Sequence, residues 1–540
     1  MKNELLGQGP VLGPMSRRDL LKWLGGTGLL MAGGCASSTT TPSPANQALS
    51  AADLIATAMS NNPTFALRVA FLNYPSTLDP ARAGSMEAIQ VVYALYDALV
   101  YIAPDLTPEP LLAAGWQEAP DRLSWTFDLQ REVRFHNGMP LTSADVVYTF
   151  NRLLDPAVES PMRLVFDVIA QVEALDEYTV RFVLSAPNED LPLLLGIPLT
   201  GIVPQGMSTI DLTAQPTGAG AWQLSSVVSG ESIRLTRNPN YWDEAFSMQF
   251  ETLLYRYFPS IPAQVEAMLT REIDLMPDVP PENLNQLAEN PEIGVQEVPS
   301  GRYQAIVMRV DLPPFYDLQV REALKLCLDR PAMQELILAG RGTLASDQPI
   351  SPIHPFWVEL PLPPYDPQQA RQLLAQAGYP NGLQLTLITA AIEPGMVEMA
   401  YAYRDMALPA GVAVEVITVP PDIYLADYAG RAPFHVVNWG LRPSVDETLT
   451  TAYHSQSPAN YSHWNNPQLD DLIVAARSEP DPALRAARYR TIQELIAQEG
   501  CSLIPCFRPV LMAAHKSLEG VSSHPTGWLD YSGVRPVPSS

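Results

Sequence analysis

The stretch Asn438 to Leu449, NWGLRPSVDETL, sets a tryptophan, an arginine and an aspartate close together in a chain whose formal net charge is −25. Arg442 is a fixed cation. Its guanidinium donates five N–H bonds, accepts none and keeps its proton, so it favours a carboxylate or phosphate, gripped bidentately, or a sugar hydroxyl. Three arrangements are open to it: facing a ligand, pairing with Asp446 across the Pro443 turn, or standing in solvent. Asp446 has its own alternative, facing a ligand as an acid. Bond-making motifs are missing from the rest of the chain. There is no G-x-x-x-x-G-K-[ST], G-x-S-x-G, H-E-x-x-H or C-x-x-C. Of seven histidines, His454 and His463 lie near each other, at a spacing that is no metal signature. The expectation is a binding protein, not an enzyme, that needs no metal or cofactor.

The elements that must position these residues are short strands alternating with helices in no fixed repeat, the pattern of a mixed α/β protein built from several open sheets. WTFDLQ and YTVRFVL alternate at period two. Thr142 with Asp145 predicts a capping box for a helix whose Val146, Val147, Phe150, Leu153 and Leu154 share a face, stopped by Asp155-Pro156. Asp366-Pro367, Asn466-Pro467 and Asp481-Pro482 are cap-then-proline starts, and Gly378 ends the helix that the first of them opens.

At 540 residues, with 47% apolar and 17% charged, the chain is long enough for two or three domains. Its 53 prolines are spread out and read as sharp loops and helix starts. Near the N-terminus, Arg17 and Arg18 precede the charge-free run Trp23 to Gly34, which is too short for a bilayer span of roughly 20 residues. Ser16 to Lys22 resembles a twin-arginine export signal, and Ala32-Gly33-Gly34-Cys35 resembles a lipobox that places a lipid on Cys35. The Ser/Thr/Pro tether ASSTTTPSPANQALS follows. Processing there removes Lys2, Arg17, Arg18 and Lys22 against Glu4 and Asp19, leaving a still more acidic body that argues against nucleic acid and anionic lipid. Cys327 falls on an apolar helix face and reads as a buried free thiol. A bond between Cys501 and Cys506 stays open, although extended chain would set them apart.

STLDPARAGSMEAIQVVYALYDALV, VRFHNGMPLTSADVVYTFNRLLDP, PTGAGAWQL, IRLTRNPNYWD, LPPFYDLQVREALKLCLDR, DPQQARQLLAQAGYPNG and the run from Asn465 to Phe507 together resemble, in order, the large solute-binding proteins of bacterial ABC importers, the class of oligopeptide-, dipeptide- and nickel-binding proteins. The resemblance implies a two-lobed periplasmic-binding fold that closes on a ligand without changing any bond in it. It divides the chain into an export signal (1–34), a linker (35–60), a first lobe (61–300 and 500–540, with an extra subdomain at about 105–205) and a second lobe (301–499). It implies a monomer, anchored outside the cytoplasm by its lipid, that hands its ligand to a permease complex. A receptor feeding a sensor, and a nickel-chelate or oligosaccharide binder on the same scaffold, are the alternatives. It also implies a ligand cleft lined by Met86, Tyr303, Trp439, Arg442, Asp446 and Arg508. In peptide-binding relatives an aspartate three positions after the tryptophan matching Trp439 takes the peptide ammonium; here Arg442 stands there, which inverts the charge and points to an anionic or polyhydroxy ligand, or a modified peptide. Arg309 likewise replaces a usual asparagine.

Mass spectrometry of the mature N-terminus checks the leader reading: it should find a diacylated Cys35 as the first residue, since stable anchoring takes two chains. An intact Met1 or an unmodified Cys35 would overturn it.

Overall fold

In a computed structural model of the chain, residues 66–243, 246 and 249–537 are described. The export signal, Cys35 and the whole tether lie outside them. The predicted elements form where their signals stand. The helix Ser143–Leu154 starts at Thr142, whose backbone N–H donates to Asp145 Oδ2 at 2.8 Å, and it buries Val146, Phe150 and Leu153. Asp366, Asn466 and Asp481 each cap a helix with proline at its first turn. The period-two segments are Ser124–Leu129 and Thr179–Leu184, neighbours in a four-stranded antiparallel sheet. Their inward residues Phe127 and Phe182 pack edge-on with centroids 5.5 Å apart, and Phe150 meets Phe182 at 4.9 Å.

Where the alternation predicts several open sheets, the structure joins most strands into one of twelve. Its main path runs Val412–Thr418, Leu383–Thr389, Phe434–Trp439, Ile293–Met308, Cys506–His515, Leu275–Met276, Ala66–Phe71, Thr252–Tyr257, Ser232–Arg237 and Trp222–Val228. Alternation marks strands but carries no information on which edges meet. Two strands at the centre, Ile293–Met308 and Cys506–His515, link the halves. Residues 293–298 of the first pair with 510–515 of the second, beside the strands of the N-terminal half. Tyr303 to Met308 instead pair with Phe434–Trp439 of the other half. Helices cover each half over separate cores, one around Leu95, Phe127 and Trp222, another around Leu324, Met399, Tyr403 and Phe434.

Cys327, Cys501 and Cys506 are buried free thiols, as the helix face predicts for the first. The bond left open between Cys501 and Cys506 does not form, because the two side chains enter different cores. Arg330 and Asp347, both wholly buried, form an ion pair at 2.5 Å. Asp347 Oδ1 also accepts from the backbone N–H of Ile504, just before the second central strand, at 2.9 Å, and Arg330 Nη1 donates to Pro363 O at 3.1 Å. The pair therefore ties four separate segments together.

Asp347→Ala should cost about 3–5 kcal/mol in urea unfolding because it strands a buried cation, and Arg330→Met combined with Asp347→Leu should cost less. A single substitution within about 0.5 kcal/mol of the parent would contradict this account.

Candidate functional site

The two central strands change partners over a short irregular stretch. Between the pairs Val298–Val510 and Arg302–Arg508 the register shifts, with Pro299 to Gly301 facing only Pro509. Proline has no N–H to give a ladder, which suits it to such a break. Gly301 is required by close approach: a Cβ there would lie 2.5 Å from Ser351 Oγ and 2.7 Å from Leu441 Cδ1. Ser300 Oγ donates to Pro525 O at 2.5 Å and fixes the turn. Side chains alternate faces along each strand, so this crossing presents two distinct surfaces.

On one face, Arg302 and Arg508 stand directly opposite each other. Like charges so placed repel and need acids nearby. Arg302 has one: its Nη2 donates to Asp278 Oδ1 at 3.0 Å. Arg508 has none. It is 7% exposed, its Nε meets no acceptor, and no carboxylate lies within ion-pair distance of it among the described residues. Burial, then the Arg302 charge, pull its pKa down, and Asp278 and Glu393 oppose them. Glu393 belongs to the loop after Leu383–Thr389, and burial and Asp278 raise it while Arg302 and Arg508 lower it. Gln304, on the same face as Arg302, donates to Pro394 O at 2.8 Å and holds that loop in place. Met86 and Gly527 close the N-terminal side: a Cβ on Gly527 would lie 3.7 Å from Met86 Cε and 4.0 Å from Arg302 Nη1. Asn438 and Gly440 are exposed at the open side, where a Cβ on Gly440 would meet nothing within 4 Å.

The other face is apolar. Tyr303 is 3% exposed, pairs in register with Trp439 and Phe507, and packs edge-on to Phe507. Trp439 stacks on Tyr461 at 5.5 Å, and the Arg442 guanidinium lies 5.0 Å from the Trp439 ring centre. The acid paired with Arg442 is Glu447, at 3.4 Å, not Asp446. Ser444 caps a helix that begins at Val445, and the first turn sends Asp446 and Glu447 in different directions. Asp446 is 2% exposed and receives Arg477 Nε on both oxygens, at 3.0 and 2.9 Å. His354 Nε2 meets Arg442 O at 2.9 Å and steadies the turn.

Beside this turn the halves of the sheet touch without the crossing strands. Asp190, at the end of the loop after the four-stranded sheet, accepts from Ser444 Oγ at 2.5 Å and from Arg485. Glu189 pairs with Arg122, whose Nη2 also donates to Ser478 O at 2.9 Å, and Ser478 Oγ donates to Pro187 O at 3.1 Å.

The six residues expected around a ligand are thus sorted. Met86 lies beside Gly527 near Arg302, whose strand partner is Arg508, on the charged face; Tyr303, Trp439 and Arg442 lie together on the apolar side; Asp446 is held behind them by Arg477. Arg302, Asp278 and Glu393 were missed, since only strand pairing shows that Arg302 stands opposite Arg508. Two cavities, of about 460 Å³ beside Phe315, Tyr428 and Phe434 and of about 290 Å³ beside Arg131 and Tyr178, are lined by none of the six. A polar cleft open to solvent is no closed cavity, so the chemistry outweighs them in locating a site. Among the described residues no group of three or more His, Cys, Asp or Glu could hold a metal, and no helix is long and apolar enough to cross a membrane.

Residues 107–461 match the family described as bacterial extracellular solute-binding proteins, family 5 Middle. The glutathione-binding protein GsiB of Escherichia coli K12 is 26% identical over 485 residues, 86% of this chain and 94% of its own length. The periplasmic binding protein DppA from Helicobacter pylori, solved with the peptide STSA, superposes with TM-score 0.79 at 23% identity, covering 88% of this chain and 98% of its own. MoaA from A. tumefacien R10, solved with mannopinic acid, gives TM-score 0.76 at 26% identity, covering 88% of this chain and 99% of its own.

Burial pushes the Glu447 carboxyl up to about 7, with Arg442 pulling the other way. Between its ordinary 4.5 and about 7 the folded protein holds a proton that the unfolded chain has released, so this group lowers stability as pH rises through that window. Glu447→Gln should remove about 3 kcal/mol of that decline in urea unfolding followed from pH 4 to pH 8. A slope unchanged by the substitution would show that Glu447 titrates normally.

Proposed function

We infer that this chain, which belongs to family 5 of the bacterial extracellular solute-binding proteins, captures a peptide-like or other small polar ligand between two lobes and delivers it to an ABC importer. The observation that carries this is the convergence at the crossing: two arginines on the only pair of strands seen to link the halves among the described residues, with Asp278 bonded to Arg302 and Met86 and Gly527 beside it from one half, and the loop of Glu393 held by Gln304 from the other. Closure by such strands buries a ligand against both halves and stabilises the closed state. GsiB is named for glutathione, DppA was solved with a peptide and MoaA with mannopinic acid, which supports a small polar ligand here.

In this reading the first lobe is 61–300 with 500–540, its extra subdomain about 105–205, and the second lobe 301–499. The protein works outside the cytoplasm as a monomer, exported by its twin-arginine signal, tethered through a lipid on Cys35, and paired with a membrane permease complex. It is a carrier that leaves its ligand chemically unchanged and uses no cofactor or resident metal.

Isothermal titration of the mature protein against free di- to pentapeptides, opine-type acids and oligosaccharides should find one class that binds and is recovered intact. Met86→Ala and Asn438→Ala should each weaken that binding about tenfold, or ~1.4 kcal/mol. Hydrolysis of a bound probe, or affinities unchanged in both variants, would refute the assignment.

A further inference from the structure

We propose that Arg508, supported by Arg302, takes the anionic head of the ligand and that Glu393 takes a cationic group of the same molecule, so that the protein selects a small zwitterion with a free carboxylate. This rests on the solute-binding reading above and names the ligand class for that site.

The argument begins with what is already occupied. Arg442, the arginine that the sequence singles out, faces Glu447 and covers the Trp439 ring. Arg302 is likewise engaged, with Asp278. Arg508 is the exception: more than nine-tenths buried, with Nε lacking any acceptor, on the face it shares with Arg302. A guanidinium is well matched to a planar carboxylate, which takes two parallel N–H bonds. Five charged groups bear on this face: the Arg302–Asp278 pair accounts for two of them, and Glu87, which also acts on Glu393, already accepts from Asn73 N at 3.3 Å and Asn73 Nδ2 at 3.0 Å. That leaves one cation, Arg508, and one acid, Glu393, so an anion and a cation on one ligand leave the site balanced. A phosphate dianion would instead bring a second negative charge up against Asp278 and Glu393. The two unmatched groups come from different elements, Arg508 from the crossing and Glu393 from the loop held by Gln304. A zwitterion that bridges them therefore ties this loop to the crossing. The open side at Asn438 and Gly440 leaves room for the rest of the molecule.

The test compares acids with their neutral counterparts on the full mature protein. Probes are dialanine, trialanine, glutathione and mannopinic acid, each beside its carboxamide, the amines also as N-acetyl forms, with maltotriose as an uncharged control. At least one free acid should bind about 100-fold more tightly than its carboxamide, since the amide leaves the buried guanidinium without a charged partner. Arg508→Gln should erase that preference without lowering the melting temperature of the unliganded protein, because it removes an unpaired buried charge. Glu393→Gln should erase the preference for a free amine over its N-acetyl form. Equal binding of acid and carboxamide, an acid preference that survives in Arg508→Gln, or binding of maltotriose alone would each overturn the inference and leave the solute-binding reading standing. Failure of every probe to bind would count against both. Should Arg508→Gln fold poorly, the comparison of acid and carboxamide on the unaltered protein decides the question by itself.

Discussion

The antiparallel pairing of Ile293–Met308 with Cys506–His515 is the constraint on which the rest depends. It makes one sheet of two halves with separate cores, and it does so through a stretch whose register slips at Pro299 to Gly301 against Pro509. A regular ladder resists bending, whereas a bulge with an unpaired proline bends at little cost. Neighbouring contacts protect that weak point: Ser300 bonds Pro525, Gly301 lets Ser351 and Leu441 approach, and the buried Arg330–Asp347 pair fixes the chain entering the second strand. Rigid approach and soft crossing together concentrate any bending between the halves at this one stretch.

Electrostatics follow from the same geometry. The chain is strongly acidic, and most of its buried or half-buried arginines are matched with an acid: Arg152 with Asp79, Arg330 with Asp347, Arg477 with Asp446, Arg485 with Asp190. Pairs of this kind contribute little net stability but are costly to break. They keep cations out of play across most of the molecule. A net charge of −25 therefore hides how selectively positive potential is placed, and a pairwise inventory locates it where composition cannot.

How much of this was legible in the sequence depended on whether the signal was local. The capping acids at 366 and 481, the alternation of Trp125, Phe127 and Leu129, and the buried thiol of Cys327 follow from spacing alone, and the structure has them. The joining of the sheets was not legible, because a strand's pattern does not say which edge it meets. Which acid faces Arg442 was not legible either, and the pair with Asp446, one of the three arrangements open to it, does not form. Asp446 is nearer in sequence, but Ser444 starts a helix there, and one helical step of about 100° brings Glu447 to the arginine and leaves Asp446 to Arg477. Resemblance names Tyr303 and Arg508 as cleft residues without saying which side of the strands each faces; strand alternation supplies that, setting Tyr303 and Arg302, the partner of Arg508, on opposite faces.

Asp190 joins the halves with no ligand involved, through Ser444 and Arg485, at 12% side-chain exposure on the acid and 11% on the arginine. So sheltered an ion pair feels little screening by salt. A direct contact of this kind favours whichever arrangement of the halves contains it, independently of anything held at the crossing. Where closure is the binding-competent arrangement, apparent affinity scales with the fraction of molecules already in it, so such a contact would lower the free energy a ligand must supply. Separating the halves would then require parting Asp190 from Ser444 and Arg485 as well as breaking any ligand contact.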